Sequence, residues 1–319
     1  MELTIPVTIE SEYTHQARNF FRWYRGGLRA GHPLLRRILR ATMQRHQRIT
    51  LRSGLKMQVD LDRVVQRTIF WYDGDMEPQL SWAVREFLPV GGTLIDCGAN
   101  CGFIGLEARL LKRARVLFVE PHPELAATIA ANIELNGWGQ FCRLVQAAAS
   151  DQPGSITLFL SSYDGSHSVL ADWTTHEQEN REVEVSAVTL KQLMQQEPGF
   201  DHADFLKIDT EGHDFNVLKG LGDMLHPEKI RVLYTELGRE RPAACQWMSE
   251  HGYAGFSYQR PPTSLKLRRA VRRYNDGEAV ALFYPLDQCP DGFEVLWVAK
   301  GGEQEAFLRE LAQRSQRTV

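Results

Sequence analysis

Acidic residues are absent from a long early stretch of this chain. Between Glu12 and Asp60 there is none, while 11 Arg and Lys side chains fall between Arg18 and Lys56. Long apolar runs are absent throughout. None approaches the ~18 uninterrupted residues of a membrane-spanning helix, which excludes that class. Met1 to Tyr13 carries Glu2, Glu10 and Glu12 rather than a basic and then apolar leader, so no export signal is expected. Cysteine is sparse, with 5 in 319 residues. Cys97 and Cys101 stand close together, but no second close pair completes a zinc site. Reduced thiols and a cytoplasmic location are the expectation. No fixed-period repeat is visible, which argues against a solenoid. Lys plus Arg number 37 against 40 Asp plus Glu, a net charge of -3 that demands no nucleic-acid partner.

What is present is an ordinary globular composition, 43% apolar and 24% charged, with ample material for a core. The length fits two domains or one elaborated α/β domain. Residues 1–48 are expected to form a basic helical extension. Phe20, Phe21, Trp23 and Tyr24 precede a break at Gly26-Gly27, and Pro33 opens a segment with Leu34, Leu35, Ile38, Leu39 and Met43 on one stripe. Such a face suits peripheral contact with a membrane through residues 16–48, or packing on its own domain or on a second subunit in a homo-oligomer. Packing is the commoner use of an amphipathic helix. Residues 49–319 are expected to form the main domain, with a surface insertion at about 260–276 that holds a second basic run, Lys266 to Arg273.

From residue 93 onward, short apolar runs alternate with helix-length segments. Thr93 to Ile95, Val116 to Val119, Leu144-Val145, Phe205 to Ile208, Val232 to Tyr234 and Val295 to Val298 read as strands buried on both faces, and Pro123 to Leu135 has helical spacing. The alternation predicts an α/β fold with a mostly parallel sheet and helices on both faces. Residues 155–160 and 182–188 read as extra strands after the third core strand. The polar stretch from Ser161 to Arg181 reads as a long loop or lid. Ser166, His167 and Ser168 there either touch substrate or sit in a solvated loop, the plainer expectation.

The first of the core strands ends in LIDCGANCGFIG, residues 94–105, with Asp96 at its tip and Gly98 and Gly102 bracketing a tight turn into a helix. A helix starting there points free N–H groups at a ligand. The second, VLFVE, ends in Glu120, a carboxylate that can accept both hydroxyls of a ribose. Together Asp96 and Glu120 describe a nucleoside site. Asn100 and Phe103 stand where a dinucleotide fold needs its second and third glycines, and no G-x-x-x-x-G-K-[ST] is present for a nucleoside triphosphate. S-adenosylmethionine, which needs no pyrophosphate cradle, fits the pattern better.

LIDCGANCG followed by VLFVEPHPE resembles motifs I and II of class I methyltransferases. FLKIDTEGHDFNVLKG, residues 205–220, is similar to the K-I-D-x-E-G-x-E-x-x-V-L-x-G signature of the FkbM family of methyltransferases, with Asp214 where that family has Glu. GDMEPQL, residues 74–80, resembles the family's G-x-x-E-P element, and Ala148 to Asp151 with Gly154 resembles its segment after the third strand. The likeness runs from about Leu51 to Lys300. It implies a Rossmann-like class I sheet with an antiparallel last strand. It also implies an S-adenosyl-L-methionine-dependent O-methyltransferase acting on a hydroxyl of a saccharide, glycolipid or polyketide-like acceptor. The same motifs would serve N-methylation or a non-catalytic, cofactor-binding scaffold at a membrane. By this likeness Asp96, Gly98, Asn100 and Gly102 hold the methionine part, Glu120 the ribose and Glu77 the cofactor's ammonium, while Ala148 and Asp151 lie near the adenine.

Methyl transfer to an alcohol requires that the acceptor oxygen be aligned and its proton removed. In open α/β sheets the ligand lies beyond the carboxyl ends of the strands. Asp209 and Glu211 end the fourth core strand, His213 follows, and Glu236 ends the fifth. These four form the expected catalytic set, with Asp209 or His213 as the base. Asp209 and Glu236 are also candidates for an Mg²⁺-type oxygen site, although no ion is assigned. The plain alternatives are acids favouring a helix N-terminus for Glu211 and Asp214, and an exposed or capping imidazole for His213.

Overall fold

The structure, a computed structural model, describes residues 8–9, 43–74, 76–161, 165–171, 178–258, 282–287 and 293–316. The expected helical segments between residues 16 and 42, and with them most of the membrane-or-packing question, lie outside the described residues. So does the 260–276 insertion.

A small sheet comes first, made of β1 (Thr8–Ile9), β2 (His46–Thr50) and β3 (Lys56–Asp60), followed by α1 (Val64–Tyr72) and α2 (Pro78–Phe87). Then come β4 (Thr93–Cys97), α3 (Phe103–Lys112), β5 (Arg115–Val119), α4 (Pro123–Leu135), β6 (Cys142–Val145), β7 (Ala148–Ala149), β8 (Gly154–Ser161) and β9 (Gln178–Val188). The chain continues through α5 (Leu190–Gln196), β10 (Phe205–Ile208), α6 (Asp214–Lys219), β11 (Val232–Glu236), α7 (Arg241–Glu250), β12 (Tyr253–Tyr258), β13 (Phe283–Pro285), β14 (Glu294–Ala299) and α8 (Glu303–Gln316). β2 and β3 pair antiparallel around a turn whose Gly54 has φ 92°. The boundary expected after residue 48 falls inside β2.

The main sheet has 8 strands in the order β13-β12-β14-β11-β10-β4-β5-β6. β6, β5, β4, β10 and β11 run parallel, and β14 enters antiparallel between β11 and β12. The expected antiparallel late strand is therefore present, and this is the strand order of the class I methyltransferase sheet. Alternate side chains leave opposite faces of each strand. Leu94, Val116 and Phe205 enter one apolar layer with Trp82 of α2, Leu106 of α3 and Leu308 of α8. Ile95, Leu117 and Leu206 enter the other with Leu193 of α5, Val217 of α6 and Met248 of α7. Burial on both faces explains the unbroken apolar runs.

Successive strands go outward from β4 through β5 to β6, and the chain then returns to lay β10 on the opposite side of β4. That reversal opens a crevice beyond the carboxyl ends of β4, β5 and β10. The two extra strands form a second sheet, order β7-β9-β8. Residues 165–171 fold back against it: Phe159 and Ser168 exchange backbone hydrogen bonds of 2.8 and 3.2 Å. Ser166 is 7% and Ser168 1% exposed, so this piece is not the solvated loop expected from its polarity. Its hydroxyls are spent inside: Ser168 Oγ donates to the Glu211 carbonyl (2.7 Å) and Ser166 Oγ to Ser161 Oγ (3.1 Å). No described helix is long and apolar enough to cross a membrane.

Candidate active site

A cavity of about 470 Å³ occupies the crevice. This falls within the range of small-molecule sites, roughly 300–1,000 Å³. Its walls include Gly98 to Cys101 after β4, Glu120 and Pro121 after β5, Ala148 and Ala149 of β7, Lys207 and Asp209 to Glu211 around the end of β10, and Glu236 and Glu294. Gly165 to His167 and Val169 close it from the second sheet. Glu77 joins it from the residue before α2.

The turn after β4 is built by close backbone approach. Gly98 has φ 69°, and a Cβ there would collide with the Asp209 carbonyl oxygen. Glycine is thus demanded by the neighbouring chain rather than by a ligand. Asn100, at φ 52°, donates its backbone N–H to Glu120 Oε2 (2.7 Å), and His122 donates its own to Glu120 Oε1 (2.9 Å). Both carboxylate oxygens are held in place, and each keeps lone-pair capacity for a further donor. Burial pushes the Glu120 carboxyl up to about 7.

Deeper in, one cation sits among several acids. Lys207 is 4% exposed and donates to the Gly98 carbonyl (2.6 Å), with its Nζ 3.2 Å from Asp209 Oδ2 and 3.5 Å from Asp96 Oδ1. Glu236 is pushed up to about 10 by the Asp209 carboxylate, then by burial, Glu211 and Asp214. It therefore carries its proton at neutral pH and is placed to share it with Asp209. Glu77 is pushed up to about 8 by burial and by Asp209. Asp214 accepts from Thr210 N and Oγ1 (3.1 and 2.8 Å) and from Glu236 N (3.0 Å), tying the end of β10 to the end of β11. Glu211, at φ 52°, turns the chain between them. Asp209, Glu211 and Glu236 each bring one carboxylate oxygen to within 4.8 Å of the others.

Several expected residues serve differently. Asp96 is fully buried behind the wall, accepting from Gly105 N (3.0 Å) inside α3. It fixes that helix and Lys207 rather than touching a ligand. Gly102, at φ 80°, starts α3 and likewise does not line the cavity. Asp151 is exposed and outside it; its Oδ1 accepts from Ser150 Oγ (3.1 Å). His213 lines the cavity, but Nε2 lies 3.0 Å from Ser150 Oγ and Nδ1 3.2 Å from Asn216 Nδ2. Both ring nitrogens are engaged and burial lowers its pKa, so it is poorly placed to take a proton. Lys207 and Glu294 are additions to the site, and His167, one of the three lid residues named for substrate contact, lines it. Lys207 stands in the quoted KID run and signals itself only as a charge inside a buried strand.

Residues 96–254 match the family described as methyltransferase FkbM domain. Those residues are an FkbM methyltransferase domain. The protein is accordingly a methyltransferase. It is 28% identical over 212 residues to Methyltransferase 1 of Beauveria bassiana, covering 59% of this chain and 83% of that one. It is 26% identical over 176 residues to Methyltransferase sdnD of Sordaria araneosa, covering 47% and 67%. Among solved structures it is similar to a precorrin-6y C5,15-methyltransferase from Geobacter metallireducens (12% identical, 70% of this chain and 87% of that one, TM-score 0.36). It is also similar to P. horikoshii TYW2 in complex with MeSAdo (12% identical, 67% and 63%, TM-score 0.39). The strand order, not these overlaps, assigns the fold.

A methyltransferase of this fold implies S-adenosylmethionine as methyl donor, and the residues present fit it. Glu120 offers a fixed, buried carboxylate to the ribose, Ala148 and Ala149 leave flat room beside it, and the acid-rich end facing Asp209 suits the two cationic groups of the methionine part.

The buried acids also make stability depend on pH. In the unfolded chain they ionise near pH 4–4.5. In the fold Glu120 and Asp214 hold protons to about 7, Glu77 to about 8 and Glu236 to about 10. The folded state thus binds more protons, and its stability is lost as pH rises. Below pH ~6.5 the unfolded chain's histidines, which His122 and His167 refuse to match, offset this. Urea unfolding of the ligand-free protein is expected to give a steadily falling free energy from pH ~6.5 to ~9. A flat or rising profile would show that these carboxyls titrate normally.

Proposed function

We propose that this methyltransferase transfers the methyl group of S-adenosyl-L-methionine to a hydroxyl oxygen of a small-molecule or glycan acceptor, with Asp209 as the base. The observation that carries the reading is one wall holding Lys207, Asp209 and a protonated Glu236, in the same cavity as the ribose carboxylate Glu120. The cofactor supplies an electrophilic methyl on a sulfonium. An alcohol lined up with it must lose a proton as the new bond forms. Lys207 sets a positive charge 3.2 Å from Asp209 Oδ2, the protonated Glu236 adds no second negative charge beside it, and the acceptor's proton passes to Asp209. Glu211, Glu236 and Glu294 add acceptor oxygens around that point, which suits an acceptor with several hydroxyls. The negative end would equally attract an ammonium, so N-methylation is the competing reading.

The cofactor half is tested with S-adenosylhomocysteine. Charge-assisted bonds from two ribose hydroxyls are worth roughly 1.5–3 kcal/mol each. Glu120→Ala is expected to weaken binding at least about tenfold by calorimetry, and a folded variant with unchanged affinity removes Glu120 from the site. The acceptor half is tested with labelled methyl donor and matched polyhydroxyl and amine compounds; label on the amines alone overturns the oxygen assignment.

A further inference from the structure

The imidazole of His167 has a place in the cavity that neither methyl transfer nor the ribose contact uses. Its Nδ1 accepts the backbone N–H of Ser161 (3.0 Å). A lone pair committed there puts the ring proton on Nε2. That Nε2–H is buried and has no hydrogen-bond partner among the described residues. The ring lies over His122, with centroids 4.6 Å apart and planes at 33°. Burial, then His122 and Arg63, holds its pKa down to about 3, so it is a neutral donor at any working pH. Its segment is fixed by the Ser168 bonds to Phe159 and to the Glu211 carbonyl. A buried donor without an acceptor is costly, which points to a ligand that supplies one.

The sheet order says which part of the cofactor arrives there. Asp209 follows β10 and Glu120 follows β5, with β4 between them; β6 lies on the far side of β5. With its ribose hydroxyls at Glu120 and its sulfonium toward Asp209, an extended nucleoside must put its base on the β6 side. Ala148 follows β6, Pro121 and His122 follow β5, and His167 lines the cavity with its ring over His122. Adenine carries three ring nitrogens, N1, N3 and N7, that accept hydrogen bonds. We propose that His167 Nε2–H donates to one of them, so that the segment folded over the cavity reads the purine edge of the cofactor. This rests on the S-adenosylmethionine reading above.

The test is calorimetry with S-adenosylhomocysteine and its 1-deaza, 3-deaza and 7-deaza analogues, each of which replaces one acceptor nitrogen by C–H. The wild type is expected to lose roughly tenfold in affinity for one of the three and little for the others. His167→Phe keeps a ring over His122 and removes the donor. It is expected to lose a similar factor for S-adenosylhomocysteine and to bind that analogue no worse than the parent compound. A wild type that binds S-adenosylhomocysteine but treats all three analogues alike overturns the proposal, even if the variant does not fold. A His167→Phe protein that still discriminates also overturns it. A wild type that binds no S-adenosylhomocysteine overturns the cofactor reading itself, and this assignment with it.

Discussion

Lys207→Met is expected to destabilise the folded protein by roughly 3–5 kcal/mol, the cost of leaving buried charge uncompensated. Lys207 is 4% exposed, with Asp96 Oδ1 and Asp209 Oδ2 at 3.5 and 3.2 Å, and it also holds the Gly98 carbonyl. Methionine fills similar volume, so the loss is one of charge and hydrogen bonding rather than packing. The penalty has a pH signature. Without the ammonium, burial drives Asp96 further toward holding its proton in the fold, so stability is lost as the pH rises above the range where unfolded carboxyls ionise. Denaturant unfolding at pH ~5.5 and ~8 is expected to show the larger deficit at the higher value. A variant within about 1 kcal/mol of wild type at pH ~8 would mean that solvent reaches the cluster and screens it.

The same lysine shows where a linear reading stops. Strand interiors were legible because both faces are buried: the apolar runs at 93–95, 116–119 and 205–208 each sit inside β4, β5 and β10. The glycine turn and Glu120 were legible because close backbone approach and ribose recognition demand particular residue types at particular strand ends. Lys207 lies within the KID motif, but its role is not legible there, because a lysine's partners on other strands are invisible along the chain. Glu294 was missed for a related reason. It reaches the cavity only because β14 inserts beside β11, where Glu236 and Glu294 become register partners from distant parts of the chain. The β2–β3 hairpin hid inside a basic stretch read by its charge, although Ser53-Gly54 between alternating segments is a turn signal. Asp96 was read correctly as a strand-tip acid and wrongly as a ligand contact. Its carboxylate faces Gly105 N and Lys207 behind the wall, a direction no spacing rule specifies. His213 reads along the chain as a base or a capping imidazole; Ser150 after β7 and Asn216 of α6 engage its two nitrogens.

The largest kinetic effect is expected from Asp209→Asn, which keeps shape and removes charge. If Asp209 takes the acceptor's proton, turnover falls roughly 10²–10⁴-fold, the usual range for acid–base catalysis. Affinity for S-adenosylhomocysteine should fall far less than turnover, because its ribose partner lies at the end of β5 and it lacks the sulfonium that faces Asp209. Glu236→Gln separates the two members of the pair. Glu236 is neutral at pH 7, so its amide replacement keeps a donor facing Asp209, and the loss should be smaller than that of Asp209→Asn. His213→Ala should stay within about threefold of wild-type turnover, since both imidazole nitrogens are already committed. Chelation decides between a base and a metal site at the same carboxylates. A pure base leaves the chelated enzyme active; an oxygen-ligated ion leaves it inactive until Mg²⁺ is returned, and Asp209 then becomes a ligand. The result that sinks the assignment is an Asp209→Asn enzyme turning over within about threefold of wild type while His213→Ala fails. The proton would then leave through the imidazole, and the hydrogen bonds to Ser150 and Asn216 would have to break when the acceptor binds.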